Sequence, residues 1–136
     1  MKKIKTEYDL KVEFYDLDPM EVVWHGNYIK YIEAARCDML EKIGYTYEDM
    51  KNDNTAYPVA TMDLKYIKPA FFGQKLRVES TLESVEPALI ISYIIKDSKT
   101  GEKIFKARSM QIRIDSTTKE SLYTAHEKFL KKIEEY

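Results

Sequence analysis

The chain has 136 residues, of which 44% are hydrophobic and 33% are charged, and this length and balance predict one domain over residues 1–136 with a single hydrophobic core. Its 22 basic and 23 acidic residues nearly cancel, so no basic surface favours nucleic acid, and no apolar run approaches the ~20 residues that span a bilayer. The single cysteine, Cys37, excludes an internal disulfide, and the first residues lack an apolar signal core, so we expect a reducing, cytoplasmic location.

The first predicted element is a β-strand over residues 8–15. Leu10, Val12 and Phe14 alternate with polar neighbours, which is typical of a strand with one buried face. The chain then turns after Asp18 and Pro19.

A long helix follows the turn. It can begin at Gly26 or Asn27 and would run for about 17 residues to Gly44, which is well placed as a C-cap. Cys37 lies in the middle of this helix, where we expect a small buried side chain rather than a nucleophile. The helical period is carried by Ile29, Ile32, Arg36, Met39, Leu40 and Ile43.

The second half of the chain predicts four more strands and a short helix. After a polar loop at residues 51–54, extended segments cover residues 57–68, 74–85, 88–96 and 102–115. The third is almost continuously apolar and should be buried on both faces. Residues 98–101 predict a hairpin, and residues 123–136 predict a short amphipathic helix. The result is an α+β fold in which one long helix packs on a five-stranded antiparallel sheet, whose exposed edges favour oligomerisation.

Candidate catalytic residues concentrate between the first strand and the long helix. If the strand continued through Asp16 and Asp18, both carboxylates would point the same way, as a nucleophile or general base with a helper. The alternative is that both stabilise a turn. The backbone N–H of His25 would be among the free donors at the helix start and suits an oxyanion, although a surface or capping histidine is an equal alternative.

Two other chemistries could use the same residues. Asp16, Asp18, Glu21 and His25 could bind a divalent metal, and the two aspartates after a strand are also found in phosphoryl transfer. Both interpretations rank low, because a metal site usually takes ligands from several segments and the chain alternates too rarely between strand and helix for a parallel sheet. We therefore expect no metal and no cofactor.

The stretch YDLDPMEVVWHGNYIKYIEAAR at residues 15–36 resembles the signature of hotdog-fold acyl-CoA thioesterases of the 4-hydroxybenzoyl-CoA thioesterase type. The later stretch LKYIKPAFFGQKLRVES, residues 64–80, resembles the second strand, proline turn and third strand of that family. The resemblance implies a hotdog fold, with the sheet wrapped around the long helix. It also implies homodimers or homotetramers with active sites between subunits, and cleavage of an acyl-CoA to a free acid and CoA.

The resemblance assigns roles to individual residues. Asp18 matches the catalytic carboxylate, as nucleophile or general base, and His25 matches the position whose backbone N–H polarises the thioester carbonyl. Tyr28 matches an aromatic residue of the acyl pocket.

Further positions near the motif carry weaker assignments. Tyr15 and Asp16 match residues that shape the loop, and Tyr15 also counts as a substrate contact. Trp24 could line the acyl pocket or pack in the core. Glu21 departs from the family, in which many members have glycine, and it would be strained if the backbone there has positive φ.

The phosphates of CoA require basic residues, and six candidates follow from the later strands. They are Lys65, Lys68, Lys96, Lys103, Lys106 and Arg108. Two alternative functions stay open: a hotdog hydratase or dehydratase acting on an enoyl thioester, and a non-catalytic module that binds acyl-CoA. The acyl group is not predicted.

Overall fold

The computed structural model describes residues 2–136. Within that range no helix is long and apolar enough to cross a membrane. The strands are β1 Ile4–Lys11, β2 Thr55–Ala56, β3 Val59–Tyr66, β4 Lys75–Ser84, β5 Leu89–Asp97, β6 Lys103–Gln111, β7 Arg113–Asp115 and β8 Ser121–Leu122. The helices are α1 Asn27–Ile43, α2 Tyr47–Asn52 and α3 Glu127–Glu135.

Five strands form one antiparallel sheet in the order β1-β4-β5-β6-β3. The long helix α1 lies against one face of this sheet and buries its apolar stripe there. A second, small sheet has the order β2-β7-β8. The α+β architecture predicted from the sequence is therefore confirmed. The core between helix and sheet includes Ile32, Met39, Leu40, Leu82, Ile91, Tyr93 and Phe105.

Helix α1 follows the prediction in its bounds. It spans 17 residues, and Gly44 ends it with a left-handed φ of 97°, a conformation that glycine adopts without steric cost. Arg36 is buried on the sheet side, where its Nε donates to the Tyr47 hydroxyl at 2.7 Å. Cys37, the next residue round the helix, is exposed. The expectation that Cys37 is buried is wrong, because one residue along a helix turns the side chain by about 100°.

Two of the strands, β1 and β5, differ from the prediction. β1 ends at Lys11, four residues early, and the chain forms one 3-10 turn over Phe14–Asp16, so Phe14 is 74% exposed rather than buried. β5 alternates, with Leu89 and Ile91 buried and Ile90 and Ile94 only half-buried on the outer face. The expectation that both of its faces are buried does not hold within one chain, since nothing in residues 2–136 covers the outer face completely.

Two short elements of the structure were not predicted from the sequence: helix α2 and the small sheet. α2 lies in the segment that was expected to be a polar loop, and the capping box of Thr46 and Asp49 begins it. The small sheet pairs β2 with β7 and β7 with β8. Both elements are too short to carry a periodic apolar pattern.

The C-terminal helix α3 confirms the expected amphipathic element. Phe129 and Ile133 are buried, and the ring of Phe129 stacks on Tyr45 with centroids 5.1 Å apart. Lys128 at its first turn pairs with Asp53 at 2.7 Å. The helix therefore closes the far end of the core, beyond the end of α1.

Candidate active site

Two loops form the base of the site: the β1–α1 loop, residues 12–26, and the β3–β4 loop, residues 67–74. Val12 donates its backbone N–H to Gln74 at 2.9 Å and accepts one from Gly73 at 3.0 Å. Further along, the N–H of Val23 donates to the carbonyl of Ala70 at 2.9 Å. These backbone bonds at both ends hold the β1–α1 loop in one shape, which suits a segment that carries a reacting group.

Asp18 sits at a tight turn within the β1–α1 loop. The backbone N–H of Glu21 donates to the Asp18 carbonyl at 2.9 Å, and the Asp18 N–H donates to Val22 at 2.8 Å. Its side-chain Oδ1 accepts the N–H of Met20 at 2.8 Å and that of Val22 at 3.4 Å. One carboxylate oxygen is thus anchored by the turn, while no group in residues 2–136 donates a hydrogen bond to Oδ2.

Glu21 closes this turn with φ of +65°. This is the left-handed region, which a residue with a Cβ adopts at a cost. Glu21 therefore has the positive φ that would strain it at a position where many members of the family have glycine. The strain lies three residues from Asp18, in the segment that fixes its carboxylate.

Asp16 occupies a different environment from Asp18. Its buried carboxylate accepts the Tyr31 hydroxyl at 2.9 Å and the Glu13 N–H at 2.9 Å. Its backbone carbonyl accepts the Asn27 side-chain amide at 2.8 Å. Because the chain forms a 3-10 turn at Asp16, the expectation that the carboxylates of Asp16 and Asp18 share a strand face is wrong. Asp16 instead ties the β1–α1 loop to helix α1.

Tyr31 supports this tie as a neutral donor. Burial raises the pKa of its hydroxyl, and the hydrogen bond to the Asp16 carboxylate raises it further. The hydroxyl therefore keeps its proton and continues to donate to Asp16 throughout the ordinary pH range.

The start of α1 presents free backbone donors. Gly26 is the N-cap residue, and no side chain caps the helix there. The Asn27 N–H donates to the Trp24 carbonyl at 2.9 Å, whereas the N–H groups of His25 and Gly26 have no acceptor within the described chain. Uncapped N–H groups and the positive end of the helix dipole favour a developing negative charge.

A cavity of about 300 Å³ joins Asp18 to this helix start. Asp18, His25 and Tyr28 line it, together with Tyr66 at the end of β3. The rest of the wall is formed by Lys68 and by the apolar residues Met20, Val22, Val23, Ile67 and Pro69. Tyr66 donates its hydroxyl proton to the carbonyl of His25 at 2.8 Å. The cavity therefore brings one carboxylate and one lysine to the helix start with its free backbone N–H groups, within a largely apolar wall.

Tyr28 is the buried aromatic residue of this cavity. Its ring stacks on Phe105 at 4.9 Å, and its hydroxyl accepts the Ala70 N–H at 3.2 Å. Burial raises the pKa of the hydroxyl, and the negative charge of Asp18 adds to that rise. Tyr28 is therefore a neutral wall residue rather than a base.

Of the other predicted residues, Lys68 lines this cavity, whereas Tyr15 and Trp24 do not line it in a single chain. Tyr15 is 82% exposed. The Trp24 ring packs at a tilt against His25 with centroids 4.9 Å apart, and it covers Gly26, where an added Cβ would come within 2.2 Å of the indole. Tyr66 was not predicted, although it lies in the second motif, three residues before Pro69. Residues 2–136 contain no cluster of three or more histidine, cysteine or acidic side chains that could hold a metal ion.

Comparison with known proteins places this geometry in a family. The family described as the thioesterase-like superfamily matches residues 12–133. The long-chain acyl-CoA thioesterase FadM of Escherichia coli (strain K12) is 28% identical over 114 residues, covering 83% of this chain and 86% of FadM.

Solved structures agree on the fold. A DHNA-CoA thioesterase from Staphylococcus aureus superposes with a TM-score of 0.87 at 24% identity, covering 96% of this chain and 89% of that one. The protein SAV2348 from Staphylococcus aureus, solved in complex with CoA, has a TM-score of 0.88 at 15% identity and covers 100% of this chain and 85% of its own. The hotdog architecture is thereby confirmed, and the match over residues 12–133 shows that the chain belongs to the thioesterase-like superfamily, as the motif at residues 15–36 predicted.

Proposed function

We propose that the protein hydrolyses an acyl-CoA thioester to a free carboxylic acid and CoA, with Asp18 as the catalytic carboxylate. The observation that carries the proposal is the convergence of Asp18 and the uncapped start of α1 on one largely apolar cavity. The backbone N–H of His25 is the proposed oxyanion donor. A donor of this kind contributes about 3 kcal/mol to transition-state stabilisation in a dry site.

Two routes are consistent with this arrangement. As a general base, Asp18 takes a proton from water while the water oxygen attacks the carbonyl carbon; the C–S bond breaks and the CoA thiolate takes that proton. As a nucleophile, Asp18 attacks the carbonyl carbon itself, expels the CoA thiolate and leaves a mixed anhydride that water hydrolyses. A single turnover in ¹⁸O-labelled water with excess enzyme separates them, because only the anhydride route can place ¹⁸O in Asp18.

The substrate class rests on the relatives and on a group of basic side chains. Lys65, Lys106 and Arg108, termed here the outer cation cluster, line a groove of about 430 Å³ on the outer face of the sheet. Lys65 and Lys106 are direct cross-strand partners. Asp63 also lines this groove and lies opposite Arg108 across the two strands, so Lys65 and Lys106 are the two cations of the cluster that face each other without an opposing carboxylate in residues 2–136. Like charges placed opposite each other are unfavourable unless an anion joins them, so we propose that this cluster holds the CoA phosphates.

Two of the other basic candidates are already paired with carboxylates. Lys68 pairs with Glu102 at 2.6 Å, and Lys96 pairs with Glu79 at 3.0 Å.

Lys65 faces the outer groove while the adjacent Tyr66 faces the inner cavity, as successive residues of a strand must. A CoA molecule could therefore pass round the end of β3 from one concavity to the other.

We also propose that two copies pair through β3. This strand is an edge of the sheet, and Val59 and Tyr66 at its two ends are 43% and 48% exposed. The other edge, β1, is protected by alternating charged residues and by Lys42, which donates to the carbonyl of Glu7 at 3.0 Å. In such a dimer, the start of β3 from one copy would approach the cavity of the other. A further pairing into a tetramer stays a prediction.

The remaining expectations belong to the same proposal. Residues 1–136 would act as one domain in the reducing cytoplasm, without a metal or a cofactor beyond the CoA of the substrate. Tyr28 would contact the acyl group, and Tyr15 and Trp24 stay predicted substrate contacts of the assembled enzyme.

The direct test is thiol release from a panel of aliphatic and aromatic acyl-CoAs, followed with a thiol reagent. The proposal expects catalytic release of CoA from at least one class. Addition of water to crotonyl-CoA without thiol release would favour a hydratase instead, and tight binding without turnover across the panel would favour a binding module.

A further inference from the structure

Tyr66 connects the edge strand β3 to the start of helix α1. Its hydroxyl donates to the backbone carbonyl of His25 at 2.8 Å. Its ring is held edge-on by Tyr28 at 5.4 Å and by Phe105 at 5.0 Å. The ring therefore has support on the core side, and the hydroxyl reaches the one residue that precedes the helix cap.

The bonded carbonyl belongs to the peptide unit between His25 and Gly26. That unit is planar, so fixing the direction of the carbonyl also fixes the direction of the Gly26 N–H, which points the opposite way in a trans peptide. The same bond restricts ψ of His25 and with it the orientation of the His25 N–H. Tyr66 thus acts on both free donors at the helix start through one hydrogen bond.

The helix start needs such a restraint. Gly26 is the N-cap, and no side chain caps the helix. A glycine explores more backbone conformations than any other residue, and free donors stabilise an oxyanion only when they are preorganised. Asn27 is fixed by the bond from its N–H to Trp24, but among residues 2–136 the only hydrogen bond to the His25–Gly26 peptide carbonyl from outside the helix comes from Tyr66.

We infer that Tyr66 is a positioning residue for the oxyanion donors: its hydroxyl holds the His25–Gly26 peptide so that the free N–H groups face the thioester carbonyl. This inference rests on the proposed function and adds a residue from a different part of the chain to it. Loss of the hydroxyl should loosen the donors without removing them, so the effect on turnover should be smaller than the loss of a donor itself.

The test compares Tyr66→Phe with wild type and with Tyr123→Phe, in which the hydroxyl of an exposed tyrosine is removed elsewhere. Tyr66→Phe keeps the ring that packs on Tyr28 and Phe105. We expect kcat for the best acyl-CoA to fall about tenfold with KM changed by less than about twofold, since a misaligned donor affects the transition state more than the bound substrate. Tyr123→Phe should leave both values unchanged.

A second readout follows the peptide directly. In ¹H–¹⁵N spectra of the full chain, the amide signals of His25 and Gly26 should shift in Tyr66→Phe and stay in place in Tyr123→Phe. Unchanged amide signals would overturn the inference, even if kcat fell, and so would an unchanged kcat in an enzyme that turns over. If wild type hydrolyses no acyl-CoA, the proposed function fails, and the amide signals alone decide whether Tyr66 holds the helix start.

Discussion

Glu21 illustrates how one residue can carry strain next to a reacting group. Its φ of +65° lies in the left-handed region, and its neighbours bond to Asp18 on both sides of the turn. A residue with a Cβ pays about 1–2 kcal/mol for this conformation. A glycine at position 21 would avoid that cost. Part of the gain in stability would be lost, because glycine also makes the unfolded chain more flexible.

We therefore predict that Glu21→Gly raises the free energy of unfolding by up to about 1 kcal/mol. Urea denaturation followed by circular dichroism measures the change. The control is Glu13→Gly, since Glu13 has φ of −94° and gains nothing from glycine. A Glu21→Gly variant no more stable than wild type would show that the turn carries no removable strain.

Predictions for single residues were correct where the backbone conformation favours one residue type, as positive φ favours glycine. Gly44 as a helix end and Glu21 as a position of possible strain could both be recognised from the sequence, because glycine and left-handed backbone are linked by sterics. The separation of Asp16 from Asp18 could not be recognised. It depends on a single 3-10 turn and on Tyr31 and Asn27, whose side chains meet Asp16 only after α1 has packed.

At the scale of elements, α3 depends on an ionic contact as well as on its apolar face. Lys128 donates to Asp53 at 2.7 Å, and Tyr45 donates to the same carboxylate at 3.0 Å. The hydrogen bond from Lys128 is the main cause that holds the pKa of Asp53 below its usual value. Asp53 thus binds a proton less readily in the folded chain than in the unfolded chain.

This difference predicts a pH dependence with a definite sign. The stabilisation is complete above the ordinary aspartate pKa, about 3.9, and it is lost as the pH falls through the lowered pKa of the folded state. We predict that Asp53→Asn lowers stability at pH 7 and flattens its decline below about pH 4. Urea midpoints measured from pH 3 to pH 7 check this, with Asp63→Asn as an exposed control; parallel curves for Asp53→Asn and wild type would contradict it.

The length of an element decided whether it could be predicted. The 17 residues of α1 and the eight to ten residues of β3, β4 and β6 repeat their apolar period several times. α2 and β2 have six and two residues, too few for any period. The place of β2 is set by its pairing with the distant β7, whereas α2 has only the local capping box of Thr46 and Asp49 as a sequence signal. The burial of β5 was predicted wrongly because Ile90 and Ile94 on its outer face are apolar, although a single chain buries them only in part.

At the scale of the whole molecule, the proposed dimer requires that β3 stays free to pair. We predict a solution mass of at least twice 16.1 kDa for the wild type. Thr61→Lys places a charge on the exposed first half of the edge strand, where pairing with a second copy would have to accommodate it, and should yield the single-chain mass. Light scattering after gel filtration measures both, with Ser121→Lys on the small sheet as the control. A wild-type monomer would exclude pairing through β3.

The outer cation cluster predicts that two parts of the substrate are recognised on two faces of the sheet. Changing Lys106 and Arg108 together to Gln should raise KM for an acyl-CoA about tenfold or more, because charged phosphate contacts are lost. The same variant should treat the corresponding acyl-pantetheine, which lacks the nucleotide, like wild type. Equal effects on both substrates would show that the cluster does not bind the CoA phosphates.

The site as a whole could be predicted only in part, because its residues come from distant parts of the chain. The motif at residues 15–36 contains Asp18, His25 and Tyr28, which adjoin the same cavity. Tyr66 joins them from β3 only through the order in which the strands pair, and no local pattern at residue 66 indicates a partner at residue 25.

The central claim is that Asp18 performs the chemistry of thioester cleavage. The most direct measurement is kcat/KM for the best acyl-CoA in Asp18→Asn, beside Asp9→Asn as a matched change of an exposed aspartate on β1. The account predicts a loss of at least 100-fold for Asp18→Asn, equivalent to about 2.7 kcal/mol, with the fold retained by circular dichroism and with Asp9→Asn close to wild type. Undiminished hydrolysis in a folded Asp18→Asn enzyme would contradict it.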